Sequence, residues 1–247
     1  MSENIKLGKK LAEGKTKVVY ESKKPDAVIL EYKDDITAGD GLKHDTFPGK
    51  GKLNAAISAK IFEVLNENDV NTHFISFIPP VYMVVKKIDM LPVEVVLRNR
   101  AYGHFLQRMP FESGHIFEKP IIEFFYKDDE KHDPMINEDH FELLNLAEYD
   151  EVLEIKDLTR KVNVLMKDFF DKKGIDLIDF KIEVGRTDSG EILVGDEING
   201  DSCRLWDQDN PDKIYDKDIY RRGESLEEVK KTYLELYEKV VGKKFEE

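Results

Sequence analysis

The spacing of apolar residues divides the first hundred positions into strands around one helix. Lys17 to Ser22 and Ala27 to Tyr32 are β-rich runs separated by Lys-Lys-Pro-Asp, which predicts an antiparallel hairpin. Apolar or small residues then recur at nearly helical spacing from Lys52 to about Asn66, which predicts an amphipathic helix. Further strands are predicted at Thr72 to Ile78, Val81 to Ile88 and Val93 to Arg100, with Asp89 to Pro92 connecting the last two.

The remaining segments carry fewer signals. Asp34 to Gly51 is rich in Gly, Asp and Thr and lacks hydrophobic periodicity, which predicts a long functional loop. Residues 101–150 indicate only mixed structure. Two further helices are predicted, Asp157 to Lys172 with Gly174 at its C-terminal end, and Ser225 to Val241 with Ser225 and Glu228 as a capping box.

The clearest alternation lies between Leu177 and Gly185. It places four apolar residues on one face of a strand and Asp179, Lys181 and Glu183 on the other. A turn at 187–190 leads to a second strand that ends in Asp196, so a hairpin is predicted, with Asp196 on the face of Glu183 if the loop has an even number of residues. Paired carboxylates favour Mg²⁺ with nucleotide phosphates, but a solvated face neutralised by Lys181 explains the same alternation.

Two basic segments are candidates for phosphate binding. Gly14 to Lys17 places two ammonium groups beside a glycine ahead of a strand, which fits either a phosphate site or a short basic turn. Val93 to His104 begins as a strand and carries Arg98 and Arg100, whose guanidinium groups suit phosphate, a carboxylate ligand or an ion pair within the protein. Each segment alone leaves these alternatives open.

Composition limits the functional classes. The chain has 247 residues, of which 40% are hydrophobic and 36% charged, so one large domain or two lobes with a sizeable core is expected. A net charge of −13 argues against general nucleic-acid binding. Cys203 is the single cysteine, and no signal-peptide stretch is seen, so we expect a protein of the reducing cytoplasm with no membrane association. Zinc-type spacing, GxSxG and GxGxxG are absent from the sequence.

Taken together and in order, the segments resemble the phosphoribosylaminoimidazole-succinocarboxamide synthase (SAICAR synthetase) family over nearly the whole chain. The resemblance is carried by GKTKVVY at 14–20, TAGDG at 37–41, KGKLNAAIS at 50–58, LPVEVVLRNRAYG at 91–103, HDPMI at 132–136, LIDFKIEVG at 177–185 and GDEINGDSCRLWD at 195–207. The DFKxE and PxExVxRN patterns are specific, and their shared order makes coincidence an inadequate explanation.

The resemblance implies a ligase that uses ATP and Mg²⁺ to join carboxyaminoimidazole ribotide (CAIR) to L-aspartate in purine biosynthesis. The implied fold is α+β and two-lobed, with an antiparallel β-rich nucleotide-binding lobe at 1–88, a larger α+β lobe at 89–247 that binds substrate and metal, and ATP in the cleft between them. Homodimers occur in the family, so a homodimer is among the implied assemblies.

The same resemblance assigns roles residue by residue. Catalytic roles fall to Asp179, Lys181 and Arg204, and nucleotide binding to Lys15, Lys17, Lys86, Met90 and Lys127. Substrate binding falls to Arg98, His104, Asp133, Asp201, Ser202 and Arg204, and Mg²⁺ binding to Glu183 and Asp196.

One position departs from the family pattern. The family usually has serine after the glycine of RNxxxG, where this chain has His104, a larger side chain that can carry charge. This departure motivates one alternative to the ligase, a noncatalytic nucleotide-binding protein. A second alternative is a related carboxylate-amine ligase or small-molecule kinase on the same fold.

Overall fold

The computed structural model describes residues 5–39 and 41–245. In chain order the strands are β1 (Lys10–Glu13), β2 (Lys17–Glu21), β3 (Ala27–Tyr32), β4 (Asp35–Ala38), β5 (Lys43–Thr46), β6 (Phe74–Ile78), β7 (Tyr82–Lys86), β8 (Asp89–Arg100), β9 (Ile116–Tyr126), β10 (Met135–Ile136), β11 (Ile175–Arg186), β12 (Ile192–Gly195) and β13 (Cys203–Asp207). The α-helices are α1 (Lys50–Glu67), α2 (Phe105–Arg108), α3 (Glu138–Leu143), α4 (Tyr149–Asp171), α5 (Asp218–Arg221) and α6 (Leu226–Val241). The α+β class predicted from the sequence is confirmed.

Two antiparallel sheets organise these elements. The first has the order β1-β2-β3-β7-β6, and the second has the order β10-β9-β8-β11-β12, with β13 also paired to β11. Helix α1 packs against β3, β6 and β7 of the first sheet, whereas α4 packs against β8 and β11 of the second. The chain passes from the first sheet to the second through Lys87 and Ile88 alone, between β7 and β8.

Backbone hydrogen bonds also join the two sheets through segment 71–73. The His73 amide donates to the Val194 carbonyl at 2.8 Å, and the Val194 amide donates to the Asn71 carbonyl at 3.1 Å. The Lys86 amide, at the end of β7, donates to the His73 carbonyl at 2.6 Å. Segment 71–73 therefore ties the end of β12, next to Asp196, to the first sheet.

The predicted N-terminal hairpin is confirmed, because β2 and β3 pair in antiparallel register from Lys17–Tyr32 to Glu21–Val28. Two of the predicted helices begin earlier than expected: α1 begins at Lys50, and α4 begins at Tyr149 rather than Asp157. On α6, the Ser225 hydroxyl caps the helix by accepting from the Glu228 amide at 3.2 Å.

The prediction that Asp34 to Gly51 is a long loop is wrong for most of its length. Strands β4 and β5 form a separate two-stranded sheet there, and we call these two strands, with residues 39, 41 and 42 at their tip, the cover hairpin. Each strand has only four residues and contains mostly polar or small side chains, so no period of two was visible in the sequence.

The prediction that Asp89 to Pro92 forms a connection is also wrong, because these residues belong to β8. Proline normally argues against a central strand, since it cannot donate to the ladder. Here the pairing of β8 with β11 changes register between Glu183 and Gly185, and Pro92 lies opposite that irregularity. The amide hydrogen that Pro92 lacks is therefore not needed for a regular hydrogen bond between β8 and β11.

The core is shared between the sheets and their helices. Val162, Met166 and Phe170 of α4 are fully buried at the spacing expected for one helix face, against the apolar side chains of β11. No helix in the described ranges is long and apolar enough to cross a membrane.

Candidate active site

A cavity of about 910 Å³ lies between the cover hairpin and strands β8, β11 and β13. Of the residues that the sequence assigned to the site, those lining this cavity are Lys15, Arg98, His104, Asp179, Lys181, Asp201, Ser202 and Arg204. The others, Lys17, Lys86, Met90, Lys127, Asp133, Glu183 and Asp196, lie outside its lining.

The polar face of β11 carries alternating charges at the wall of the cavity. Lys181 Nζ donates to Glu94 Oε1 at 2.9 Å and to Glu183 Oε1 at 3.2 Å, and Lys127 Nζ donates to Glu183 Oε2 at 2.7 Å. Burial acts to lower the pKa of Lys181, but the charges of Glu183 and Glu94 outweigh it and raise that pKa. Lys181 is therefore a permanent cation beside the cavity, suited to bind an anion rather than to accept a proton.

A second group of charges surrounds the end of β12. Lys17 Nζ lies 2.8 Å from Asp196 Oδ1 and 3.1 Å from Glu197 Oε2. Burial opposes ionisation of Asp196, but Lys17 and Lys181 hold its pKa below the usual range. Lys127 contributes in the same direction, so Glu183 and Asp196 share lysine neighbours.

The register of the β11–β12 hairpin corrects one detail of the sequence prediction. The turn spans 187–191, an odd number of residues, and the residue paired with Glu183 is Gly195. Asp196 follows it with a left-handed φ of 58°, where the backbone leaves the strand. Asp196 therefore meets the neighbours of Glu183 through the shared lysines rather than by strand alternation.

These carboxylates fit a metal ion only together with a nucleotide. No cluster of three or more His, Cys, Asp or Glu side chains that could hold a metal is present within residues 5–39 and 41–245. Mg²⁺ in phosphate-transfer sites commonly uses one or two carboxylates and completes its coordination with phosphate oxygens and water. Glu183 and Asp196, which are paired with lysines rather than with neutral groups, match that donor set.

Two arginines meet at one oxygen of Asp179, two residues before Lys181 on β11. Arg98 Nη1 lies 2.8 Å and Arg204 Nη1 2.9 Å from Asp179 Oδ2. The other end of each guanidinium is also held, since Arg98 Nε donates to Glu123 at 2.7 Å and Arg204 Nε donates to Asp218 at 2.9 Å. The acidic partners on both sides of each guanidinium group fix the orientation of Arg98 and Arg204 at the cavity wall.

The glycine at 103 leaves space for one of these arginines. Its φ is +60°, and a Cβ built on it would lie 2.8 Å from Arg204 Nη2. The ring of Tyr102 lies 5.5 Å from the same guanidinium. His104, which follows directly, is exposed, lines the cavity and begins the short helix α2.

Asp201 and Ser202 occupy the turn between β12 and β13. Lys50 Nζ, which is fully buried, lies 2.6 Å from Asp201 Oδ2, and the Tyr233 hydroxyl donates to the other oxygen. Burial opposes ionisation of Asp201, but Lys50 and Lys217 hold its pKa below the usual range. The Ser202 hydroxyl accepts from the Asn199 amide at 3.0 Å and so stabilises the turn.

The remaining assigned residues lie around the first sheet and the 127–134 loop. Lys15 Nζ is 3.0 Å from Asp129, while Lys86 ends β7 with an exposed side chain. The Met90 sulfur would lie 3.0 Å from a Cβ at Gly195, so it packs close to the end of β12. Asp133 accepts from the Asp128 amide at 2.8 Å, so its carboxylate folds the loop that carries Lys127 instead of lining the cavity.

Several charged residues at the site were not singled out from the sequence. These residues are Lys50, Glu94, Glu123, Glu197, Lys217 and Asp218. Their positions depend on tertiary contacts, because a buried lysine on a helix or an acid on a strand has no distinguishing local pattern. A usable signal existed for Lys50, Glu94 and Glu197, since they lie within the quoted family motifs KGKLNAAIS, LPVEVVLRNRAYG and GDEINGDSCRLWD.

Comparison with known proteins agrees with this geometry. The family model described as SAICAR synthetase matches residues 10–240. The phosphoribosylaminoimidazole-succinocarboxamide synthase of Methanocaldococcus jannaschii is 49% identical over 89% of this chain and 90% of its own length. The enzyme of the same name from Sulfolobus acidocaldarius is 47% identical over 93% of this chain and 97% of its own. A SAICAR synthetase solved in complex with ADP superposes with a TM-score of 0.89, at 42% identity, over 96% of this chain and 99% of that one.

Proposed function

This chain belongs to the SAICAR synthetase family, and from that membership we propose the part that each of its own side chains takes in the ligation. The enzyme joins the carboxylate of CAIR to the amino group of L-aspartate at the expense of ATP, and forms SAICAR, ADP and phosphate in purine biosynthesis. The observation that carries the residue assignments is the cavity itself, which is lined by the fixed arginines Arg98 and Arg204 and by Lys181, the partner of Glu183.

The chemistry explains why cations dominate these walls. A carboxylate is a poor electrophile, so one of its oxygens first attacks the γ-phosphorus of ATP and ADP departs, which leaves an acyl phosphate. The neutral amine of aspartate then attacks the carbonyl carbon, the C–N bond forms, the amine loses a proton, and phosphate leaves with the former carboxylate oxygen. Each reactant is an anion, so fixed cations are needed to bring them together.

For the first reactant, we assign the phosphates of ATP to Lys15, Lys17 and Lys127. Lys17 and Lys127 are both paired with carboxylates, and an arriving triphosphate offers each ammonium group a replacement partner. Lys86 and Met90 are assigned to the adenine, because they flank the short connection between the two sheets. This assignment makes residues 1–88 the nucleotide-binding lobe and 89–247 the lobe for substrate and metal.

Glu183 and Asp196 are assigned to Mg²⁺. When bound, the ion would neutralise the phosphate charge that develops during transfer. Both side chains are paired with lysines, and Lys17 and Lys181 hold the pKa of Asp196 below its usual range.

For the second and third reactants, we assign the phosphate and carboxylates of CAIR and aspartate to Arg98, Arg204 and His104, with Asp201, Ser202 and Asp133 as supporting substrate residues. We assign Lys181 to the CAIR carboxylate that reacts with ATP, and Asp179 to holding both arginines in a fixed orientation. We further propose a homodimer and a cytoplasmic location; the latter rests on Cys203 being the single cysteine, which cannot form a disulfide within the chain.

The test of the function is a reconstituted reaction with ATP, Mg²⁺, CAIR and L-aspartate, followed by mass detection of SAICAR. Omission of each component in turn should abolish the product. ATP binding without product would support a noncatalytic protein, and product with a competing amine or phosphorylated CAIR alone would support the related ligase or kinase.

A further inference from the structure

The cover hairpin is attached to helix α5 through two residues of its second strand, β5. Leu42 at the tip is 95% exposed, and residues 37–39 and 41–43 line the cavity. Lys43 Nζ donates to the Tyr220 carbonyl at 2.9 Å and lies 3.9 Å from the centre of the Tyr220 ring. The Tyr220 hydroxyl donates to Asp45 Oδ2 at 2.7 Å.

Tyr220 is held in place by apolar packing as well as by hydrogen bonds. Its side chain is buried in an apolar cluster with Ile36 of β4, Phe47 and Leu53. Burial and the bond to Asp45 raise the pKa of Tyr220 to about 12, so the hydroxyl stays a donor at neutral pH. Neither Tyr220 nor Asp45 lines the cavity.

The same helix that carries Tyr220 also holds a substrate arginine. Asp218 begins α5 and accepts from Arg204 Nε at 2.9 Å, and it also pairs with Arg221 within the helix. Arg204 continues the chain of contacts to Asp179 at 2.9 Å. A displacement of β5 therefore acts on α5, and a displacement of α5 acts on the guanidinium of Arg204.

We propose that Tyr220 is a positioning residue that couples the position of strand β5 to the orientation of Arg204. The proposal rests on the assignment of Arg204 to substrate anions made above. Through its contacts with Lys43 and Asp45, Tyr220 holds α5 in the position at which Asp218 aligns Arg204. A ligand that binds Arg204 in turn favours this position of β5, because coupling between two sites is reciprocal.

The test combines two variants that remove the same bond with a control that removes a similar one elsewhere. Tyr220→Phe keeps the ring under Lys43 but loses the hydroxyl, and Asp45→Ala loses its acceptor. Tyr20→Phe is the control. The Tyr20 hydroxyl donates to Glu31 at 2.9 Å, and both residues belong to the first sheet rather than to the cover hairpin. We expect Tyr220→Phe and Asp45→Ala each to raise KM for CAIR about fivefold, the effect of one hydrogen bond, with kcat changed less than about twofold.

Two further readouts separate coupling from a loss of stability. The double variant should match either single variant in KM, and hydrogen exchange of residues 35–46 and of β13 should be faster in Tyr220→Phe but unchanged in Tyr20→Phe. A normal KM in Tyr220→Phe with a lowered melting temperature, or additive effects in the double variant, would overturn the proposal. If the wild-type enzyme forms no SAICAR, the proposed function fails, while unchanged exchange of β13 in Tyr220→Phe remains the result that refutes the coupling.

Discussion

At the scale of single residues, the site is defined by acidic side chains that each pair with two basic side chains. Asp179 accepts from both Arg98 and Arg204 through one oxygen, and Glu183 is held by both Lys127 and Lys181. The sequence could predict that Asp179, Lys181 and Glu183 lie on one face of a strand, because strand alternation is local. It could not predict their partners Glu94, Glu123 and Asp218, because those contacts join strands and helices distant in the chain.

Glu183→Gln tests the metal assignment. The amide keeps the size of the side chain but removes a carboxylate charge, so Mg²⁺-dependent turnover should fall by roughly 10²–10³, while the melting temperature changes little. Glu21→Gln, at an exposed glutamate on β2, is the control. Turnover that is unchanged at limiting Mg²⁺ would count against the assignment.

Gly103→Ala tests the orientation of Arg204. A methyl group at this position would lie 2.8 Å from the guanidinium, in addition to the cost of about 1 kcal/mol for a non-glycine residue at positive φ. Gly190→Ala separates the two effects, because Gly190 has a φ of +86° and no atom within 4 Å of the added carbon. We expect both variants to lose similar stability and only Gly103→Ala to raise KM for CAIR, by about tenfold or more; equal KM values would refute the role of Gly103.

At the scale of elements, regular patterns were predictable and irregular ones were not. The alternation in β11 and the apolar stripe of α4 are visible in the sequence, since both elements present one face to the core. The cover hairpin escaped prediction because its strands are short and largely polar, and β8 was cut at Pro92 because the compensating register change belongs to β11. The segment that joins the sheets likewise depends on pairing between Thr72 and Val194, which no local pattern reveals.

The buried His73 in segment 71–73 indicates that the fold is sensitive to acid. Burial lowers the pKa of His73 to about 3, and its Nε2 is buried without a partner among the described residues. The unfolded chain binds this proton near pH 6.5, so the free energy of unfolding should fall as the pH drops from about 6.5 towards 3.

His73→Gln, which does not titrate, should reduce the loss of melting temperature between pH 7 and pH 4.5. Thermal denaturation monitored by circular dichroism would measure the slopes, with His115→Gln at an exposed histidine as the control. Parallel slopes in wild type and His73→Gln would show that His73 does not contribute.

At the scale of the whole molecule, an acidic chain surrounds a cationic interior site. The net charge of −13 argued against large polyanions, yet Lys15, Lys181, Arg98 and Arg204 line one cavity suited to small anions. Net charge is an average over the surface, and it does not limit the local field in a cavity. The class of substrate was therefore predictable from motifs and not from composition.

A ligand that bridges the two sheets should stabilise the whole enzyme. At 100 times its dissociation constant, ADP with Mg²⁺ adds about 2.7 kcal/mol, which for a chain of this size corresponds to a rise of roughly 5–10 °C in melting temperature. Addition of a chelator should remove most of that shift, and Glu183→Gln should show little of it. A shift that is independent of Mg²⁺ would place the metal elsewhere.

The central claim is that the CAIR carboxylate is activated by ATP within this cavity before aspartate attacks. The most direct measurement uses CAIR labelled with ¹⁸O in its carboxylate and follows the label in the phosphate released with SAICAR. One ¹⁸O atom should appear in each phosphate, because the oxygen that attacks the γ-phosphorus leaves with it. Formation of SAICAR with unlabelled phosphate, or release of phosphate without dependence on aspartate, would contradict the account.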